Sequence, residues 1–279
     1  MKRRANFVGQ FYPANRNKLK NVLKKFEAKA KQERGQKSIK QPLAAIVPHA
    51  GYIYSGSTAT YAFNEVFHVE HDFENIVVVG PAHHTPIYGI QVSTHTFYET
   101  PLGELEVSQK LITKLLEKLP FLTICNGDVY EHSTEVQFPL IKYFSSNIKC
   151  IEIIYGQTPI ANLFKLIEII LQKKRTILIV SSDLSHFYDQ KMANKIDANT
   201  LSGIKNLNTK LLSSPKQGCG LKGVVALEQC AKQKNLKPHI LDYKTSFEST
   251  GDSASVVGYC SAVFGKTGLN NEDFPSKRA

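Results

Sequence analysis

Short runs of β-branched residues recur along this chain, separated by stretches of helical periodicity, and that alternation limits the fold more than any other feature. Strands are expected at Leu43–Val47, Ile76–Val79, Ile87–Val92, Cys150–Ile154, Thr176–Val180, Ile240–Lys244 and Val256–Phe264. Helices are expected near 57–67, 107–118, 133–144, 159–173, 191–206 and 222–235. The pattern is that of an α/β chain whose parallel or mixed sheet is covered by helices on both faces. No linker rich in Pro, Gly or Ser divides the 279 residues. A single domain over 1–279 is expected, with a basic segment at 1–40, a loose stretch around 32–41 and a polar tail at 267–279.

Composition excludes several classes. With 42% hydrophobic and 21% charged residues the chain lies in the globular range. Its apolar runs, such as Ile76–Val79 and Ile177–Val180, are far short of the roughly 20 residues that span a bilayer. Met1-Lys2-Arg3-Arg4 has the charge of a signal-peptide start, but the residues from Asn6 to Tyr12 supply no apolar region behind it, so a cytoplasmic location and no membrane partner are expected. The net charge of +11 is local: residues 1–40 hold 13 Lys and Arg against Glu27 and Glu33, and the rest of the chain balances. Within that segment Leu19, Val22, Leu23 and Phe26 follow helical spacing, which describes an amphipathic helix with solvated lysines. No nucleic-acid-binding motif accompanies the charge, and no nucleic-acid partner is expected. The five cysteines form no C-x-x-C pair, so free thiols are expected rather than a disulfide framework or a zinc ribbon.

Ligands of open α/β sheets bind beyond the carboxyl ends of the strands, and three strands here end on chemistry. Leu43–Val47 runs into Pro48-His49-Ala50-Gly51-Tyr52. Ile76–Val79 runs into Gly80-Pro81-Ala82-His83-His84. Ile177–Val180 runs into Ser181-Ser182-Asp183-Leu184-Ser185-His186. The interval between His49 and His83 is about one βαβ unit, so adjacent loops are expected for them. Neutral imidazoles bind late first-row metals, and His49, His83 and His186 are candidates for metal or catalytic duty. His84, next to an inward-facing neighbour, is expected to face away.

Two further constellations stand out. In Glu131-His132-Ser133-Thr134-Glu135-Val136-Gln137, Thr134 and Gln137 have capping-box spacing and Asp128 is an alternative cap, which puts His132 in a loop or first turn near the site. Cys219 lies in Gln217-Gly218-Cys219-Gly220-Leu221, where glycines permit close backbone approach and a helix start would stabilise a thiolate. Cys150 and Cys260 fall in strand patterns as small buried residues, Cys230 falls on a helix and Cys125 in a loop. Tyr12, Tyr52 and Tyr54 are candidate pocket aromatics.

Together with Gly9-Gln10-Phe11-Tyr12-Pro13 and Cys219-Gly220, these motifs resemble the Memo family, whose bacterial members are called AmmeMemoRadiSam system protein B. The resemblance covers nearly the whole chain. It implies a three-layer α/β/α fold with a central mixed, mostly parallel sheet, similar to class III extradiol ring-cleavage dioxygenases. In those enzymes two histidines and a carboxylate hold non-haem iron(II). The family places a cysteine where the carboxylate stands, which implies His49, His83 and Cys219 as ligands of Fe(II) or copper and His186 beside them. The softer thiolate favours copper(I) as well as iron.

The leading expectation is a metal-dependent oxidoreductase of unknown substrate, with His186 moving protons and Asp183 and His132 orienting ligands or substrate. The alternative is a non-catalytic module that binds a peptide or small-molecule metabolite in the same cleft. A third reading makes Cys219 a nucleophile with His186 as its base. The bacterial family name further implies a functional link to a radical-SAM protein.

Overall fold

The β-branched runs become strands buried on both faces, which is what a parallel sheet between helices demands of its centre. The computed structural model describes residues 1–33, 39–68, 72–125 and 129–266. The tail at 267–279, part of the loose stretch at 32–41, and Asp128 lie outside the described residues. The strands are β1 Lys2–Arg3, β2 Gln41–Val47, β3 Asn75–Pro81, β4 Ile90–Ser93, β5 Phe97–Tyr98, β6 Leu105–Glu106, β7 Leu122–Cys125, β8 Lys149–Tyr155, β9 Thr176–Ser181, β10 His186–Tyr188, β11 Lys237–Thr245 and β12 Val256–Lys266. The helices are α1 Arg16–Gln32, α2 Ser57–His68, α3 Gln109–Lys118, α4 His132–Glu135, α5 Gln137–Phe144, α6 Ile160–Ile170, α7 Gln190–Asn206, α8 Leu221–Gln233 and α9 Phe247–Thr250.

Among the described residues nine strands form one mixed sheet in the order β10-β12-β2-β9-β3-β8-β4-β7, with β11 paired to β12. Its centre, β2-β9-β3-β8, is parallel, and antiparallel pairs flank it at β12–β2 and β4–β8. Helices α1, α2 and α5 pack together, with α2 against β2 and β12, while α6 and α8 pack together against β9 and β3. This is the expected mixed sheet between helical layers. Helix α1 begins where the Asn15 side chain accepts the amides of Asn17 and Lys18 at 3.0 Å. It buries Leu19 and Leu23 fully, as the spacing predicts. No helix among the described residues is long and apolar enough to cross a membrane.

The differences from expectation have local causes. The strand expected at 87–92 starts only at Ile90, because Gly89 takes φ +89° and Gln157 pairs with the carbonyl of Ile87 instead. The helix expected at 133–144 is two helices meeting at Val136. Strands β7 and β10, the small sheet β1-β5-β6, and a π-helical turn at Tyr52–Gly56 have no counterpart among the expected elements. Cys125 is the last residue of β7, not a loop residue. Cys150, Cys230 and Cys260 are buried.

Candidate metal centre

The parallel centre brings three chain segments to one end of the sheet. Val47 on β2 lies opposite Ser181 on β9, and Val79 on β3 opposite Val180. The segments that leave these three strands therefore meet at the carboxyl end of the sheet. Strand β9 separates β2 from β3, yet the loops that carry His49 and His83 lie side by side, as their spacing suggested. Their rings meet across the end of β9 with centroids 5.2 Å apart. His49 is fully buried, whereas His83 faces solvent.

Hydrogen bonds fix the tautomers of both rings. The Ser181 hydroxyl donates to the carbonyl of Ser133 at 2.6 Å, so it can only accept from His49 Nδ1, 2.8 Å away. His83 Nδ1 donates to Glu131 Oε1 at 3.0 Å. Both rings are thereby Nδ1–H tautomers, and each turns an Nε2 lone pair to its other side. Glu131 also accepts the His83 amide at 2.6 Å and the Ser133 amide at 2.9 Å. Burial works against its charge, yet these bonds hold the carboxyl down at about 2. Burial first, then the neighbouring His83, His132 and His186, keeps His49 neutral well below the usual histidine range.

Cys219 approaches His49 from the turn before α8, whereas the cluster of mutually close ligand atoms around His49 is completed by His83 and His132. The Cys219 Sγ lies 3.1 Å from His49 Nε2. A Cβ on Gly220 would come within 2.5 Å of the Ser181 carbonyl, and one on Gly218 within 2.6 Å of the Asp183 carbonyl. The glycines allow the approach, as the sequence suggests. The stabilised thiolate does not materialise: burial and then Asp183 push the thiol far up, outweighing the backbone amides at the turn. Asp183 accepts the His49 amide at 2.7 Å, with its second oxygen 4.0 Å from His49 Nε2. Burial, opposed by the amides of His49 and Ala50, pushes the carboxyl up to about 6.

A family model described as Memo-like protein matches residues 3–263. The chain belongs to the Memo family. MEMO1 family proteins from Archaeoglobus fulgidus and Aquifex aeolicus are 30% and 33% identical to it. They cover 94% and 92% of this chain, and 99% and 97% of their own lengths are matched. The crystal structure of the uncharacterized protein JW3007 from Escherichia coli K12 superposes with a TM-score of 0.56. That superposition covers 80% of this chain and 99% of the other at 16% identity, a likeness of fold.

In this Memo-family chain His132 sits closer to the two histidines than its sequence position indicates. Ligand atoms of His49, His83 and His132 all lie within 4.8 Å of one another. Burial, with His83 and His84 adding to it and Glu131 opposing, brings His132 down to about 4. His84, expected to face away, is exposed, yet its Nε2 reaches the trio, 2.9 Å from His132 Nδ1. His186 is on β10, paired with β12, near enough for its charge to act on His49 and Asp183. Tyr12 and Tyr52 are core residues rather than pocket aromatics: their hydroxyls donate to Glu135 and to the Val136 carbonyl. Tyr54 is exposed. A cleft of about 720 Å³ opens beside His83, His84 and Cys219, with walls that include Ile87, Tyr88, Ile160 and Leu212.

Glu131, Ser181 and the support behind them are not apparent from the sequence. Glu131 caps α4 through the Ser133 amide, the role expected of Thr134 or Asp128. Thr134 instead donates to Glu152, and Gln137 donates to the Pro48 carbonyl and Ser181. Arg3, counted with the solvated basic segment, is buried. It bonds Glu135 at 2.6 Å and the Glu131 carbonyl at 2.9 Å, and makes a less well aligned ion contact with Glu152 at 2.8 Å. Glu135 also accepts the amides of Asn6 and Phe7, which holds the start of the chain against the site.

Proposed function

We propose that this Memo-family protein is a metal-dependent oxidoreductase whose Fe(II) or copper is held by His49, His83 and Cys219. The observation that carries the reading is the pair of Nδ1–H imidazoles, each of which leaves its Nε2 lone pair for a ligand bond, that of His49 3.1 Å from the Cys219 sulfur. Metal–nitrogen and metal–sulfur bonds of about 2.0–2.1 and 2.3 Å at a right angle separate the two donor atoms by about 3.1 Å. The donor set of two neutral imidazoles and one thiol fits iron and copper equally. When bound, the metal would supply one-electron chemistry.

The residues around it divide the remaining work. Ser181 and Glu131 hold the ligand rings in one tautomer and orientation. Asp183, with its carboxyl near 6, exchanges a proton close to neutral pH beside the ligands. His132 is neutral there and accepts a proton or a hydrogen bond. His186 carries protons at the rim. The apolar-walled cleft takes a small-molecule substrate whose reacting end approaches His83 and Cys219.

The test is metal analysis of protein purified anaerobically without a histidine tag, as wild type and as the His49→Ala/Cys219→Ala variant. About one equivalent of iron or copper is expected in the wild type and a loss of it in the variant. Equal metal content in both would contradict the reading.

A further inference from the structure

A second group of donors adjoins the first and shares His132 with it. His84 Nε2 lies 2.9 Å from His132 Nδ1, and Glu131 Oε1 lies 3.3 Å from the same Nδ1. Ligand atoms of His84, Glu131 and His132 all fall within 4.8 Å of one another. Two donor atoms bound to one ion at about 2.0–2.1 Å are separated by about 2.9 Å at a right angle and about 3.4 Å in a tetrahedron. Both separations at His132 lie in that interval. Without an ion, the shorter one serves an N–H···N hydrogen bond between the rings.

We infer that His84, His132 and Glu131 form an outer site for a divalent late first-row cation, distinct from the one at Cys219. Its two imidazoles and one carboxylate lack a thiolate, so it selects Zn(II) and its neighbours in that row over copper(I). The rings are already in place. Phe7 packs on His84 at 5.0 Å and Phe11 on His132 at 4.7 Å between centroids, and Phe7 is itself pinned by its amide to Glu135. Such packing lowers the ordering cost of binding. His84 lines the large cleft, which gives the ion a path from solvent.

The outer ion acts on the inner site through His132, which belongs to both clusters. An ion on Nδ1 leaves the ring proton on Nε2, so occupancy sets His132 as a hydrogen-bond donor. The same ring without the ion can take either tautomer. The outer site therefore governs whether His132 gives or accepts a hydrogen bond beside His49 and His83.

Zn(II) titration of the metal-stripped full chain, made without a histidine tag, tests this on the wild type, His84→Ala and His49→Ala/Cys219→Ala. His84 is exposed and makes its side-chain bond only to His132 among the described residues, so circular dichroism is expected to show an unchanged fold for His84→Ala. Two equivalents are expected for the wild type and one for each variant. A single equivalent in the wild type that His84→Ala retains, or two retained in His84→Ala, would overturn the outer site. Two equivalents retained in the double variant, with one lost in His84→Ala, would sink the inner site and leave the outer one standing.

Discussion

Glu228 lies on α8 with no exposed surface, and neither of its carboxylate oxygens has a hydrogen-bond partner among the described residues. Burial alone pushes its carboxyl from 4.5 up to about 8. The folded state therefore holds this proton over a range in which the unfolded chain has lost it. An acid raised in this way contributes stability that is fully present below about 4.5 and is lost as pH rises through about 8. At 1.36 kcal/mol per unit the loss is about 3 kcal/mol by pH 7 and approaches 5 kcal/mol above pH 9. Glu228→Gln keeps the shape and abolishes the ionisation. Urea unfolding of both proteins between pH 4 and 9 is the assay, and their difference cancels every other titrating group. The variant is expected to gain on the wild type by about 3 kcal/mol between pH 4 and 7. Parallel stability profiles would refute the reasoning.

The same geometry has other consequences. Arg3→Ala leaves Glu135 and Glu152 buried without their cation and should cost about 3–5 kcal/mol, read from the urea midpoint. Glu131→Gln weakens the acceptor that fixes the His83 tautomer, and inner-site metal affinity should fall by about 10–100-fold in a chelator competition. Unchanged affinity would remove Glu131 from the account. Gly220→Ala drives a Cβ to 2.5 Å from the Ser181 carbonyl, so both bound metal and about 1–3 kcal/mol of stability should be lost together. Inner-site affinity should rise with pH in a chelator competition, since ion binding displaces the proton that burial keeps on Cys219.

The central strands were legible because burial on both faces demands unbroken β-branched runs, as at Ile76–Val79. The two-residue strands and the exposed edge strand β7 have no such signature. His49, His83 and Cys219 were legible as residues that punctuate strand and helix ends, but the order of the strands between them was not. Glu131 was hidden because a glutamate before a helix is also a cap, and its Oε1 performs both tasks, accepting the Ser133 amide and the His83 ring. Arg3 was hidden by its charged company; only the fold reveals the two carboxylates that receive it. The thiol of Cys219 defeated a local argument, because desolvation by the whole surrounding structure outweighs a few backbone amides.

The most direct test of the inner centre is an anaerobic crystal structure with anomalous data collected at the iron and copper edges. The account predicts an anomalous peak within bonding distance of His49 Nε2, His83 Nε2 and Cys219 Sγ. A metal held elsewhere, or bound by the histidines with Cys219 turned away, would contradict it.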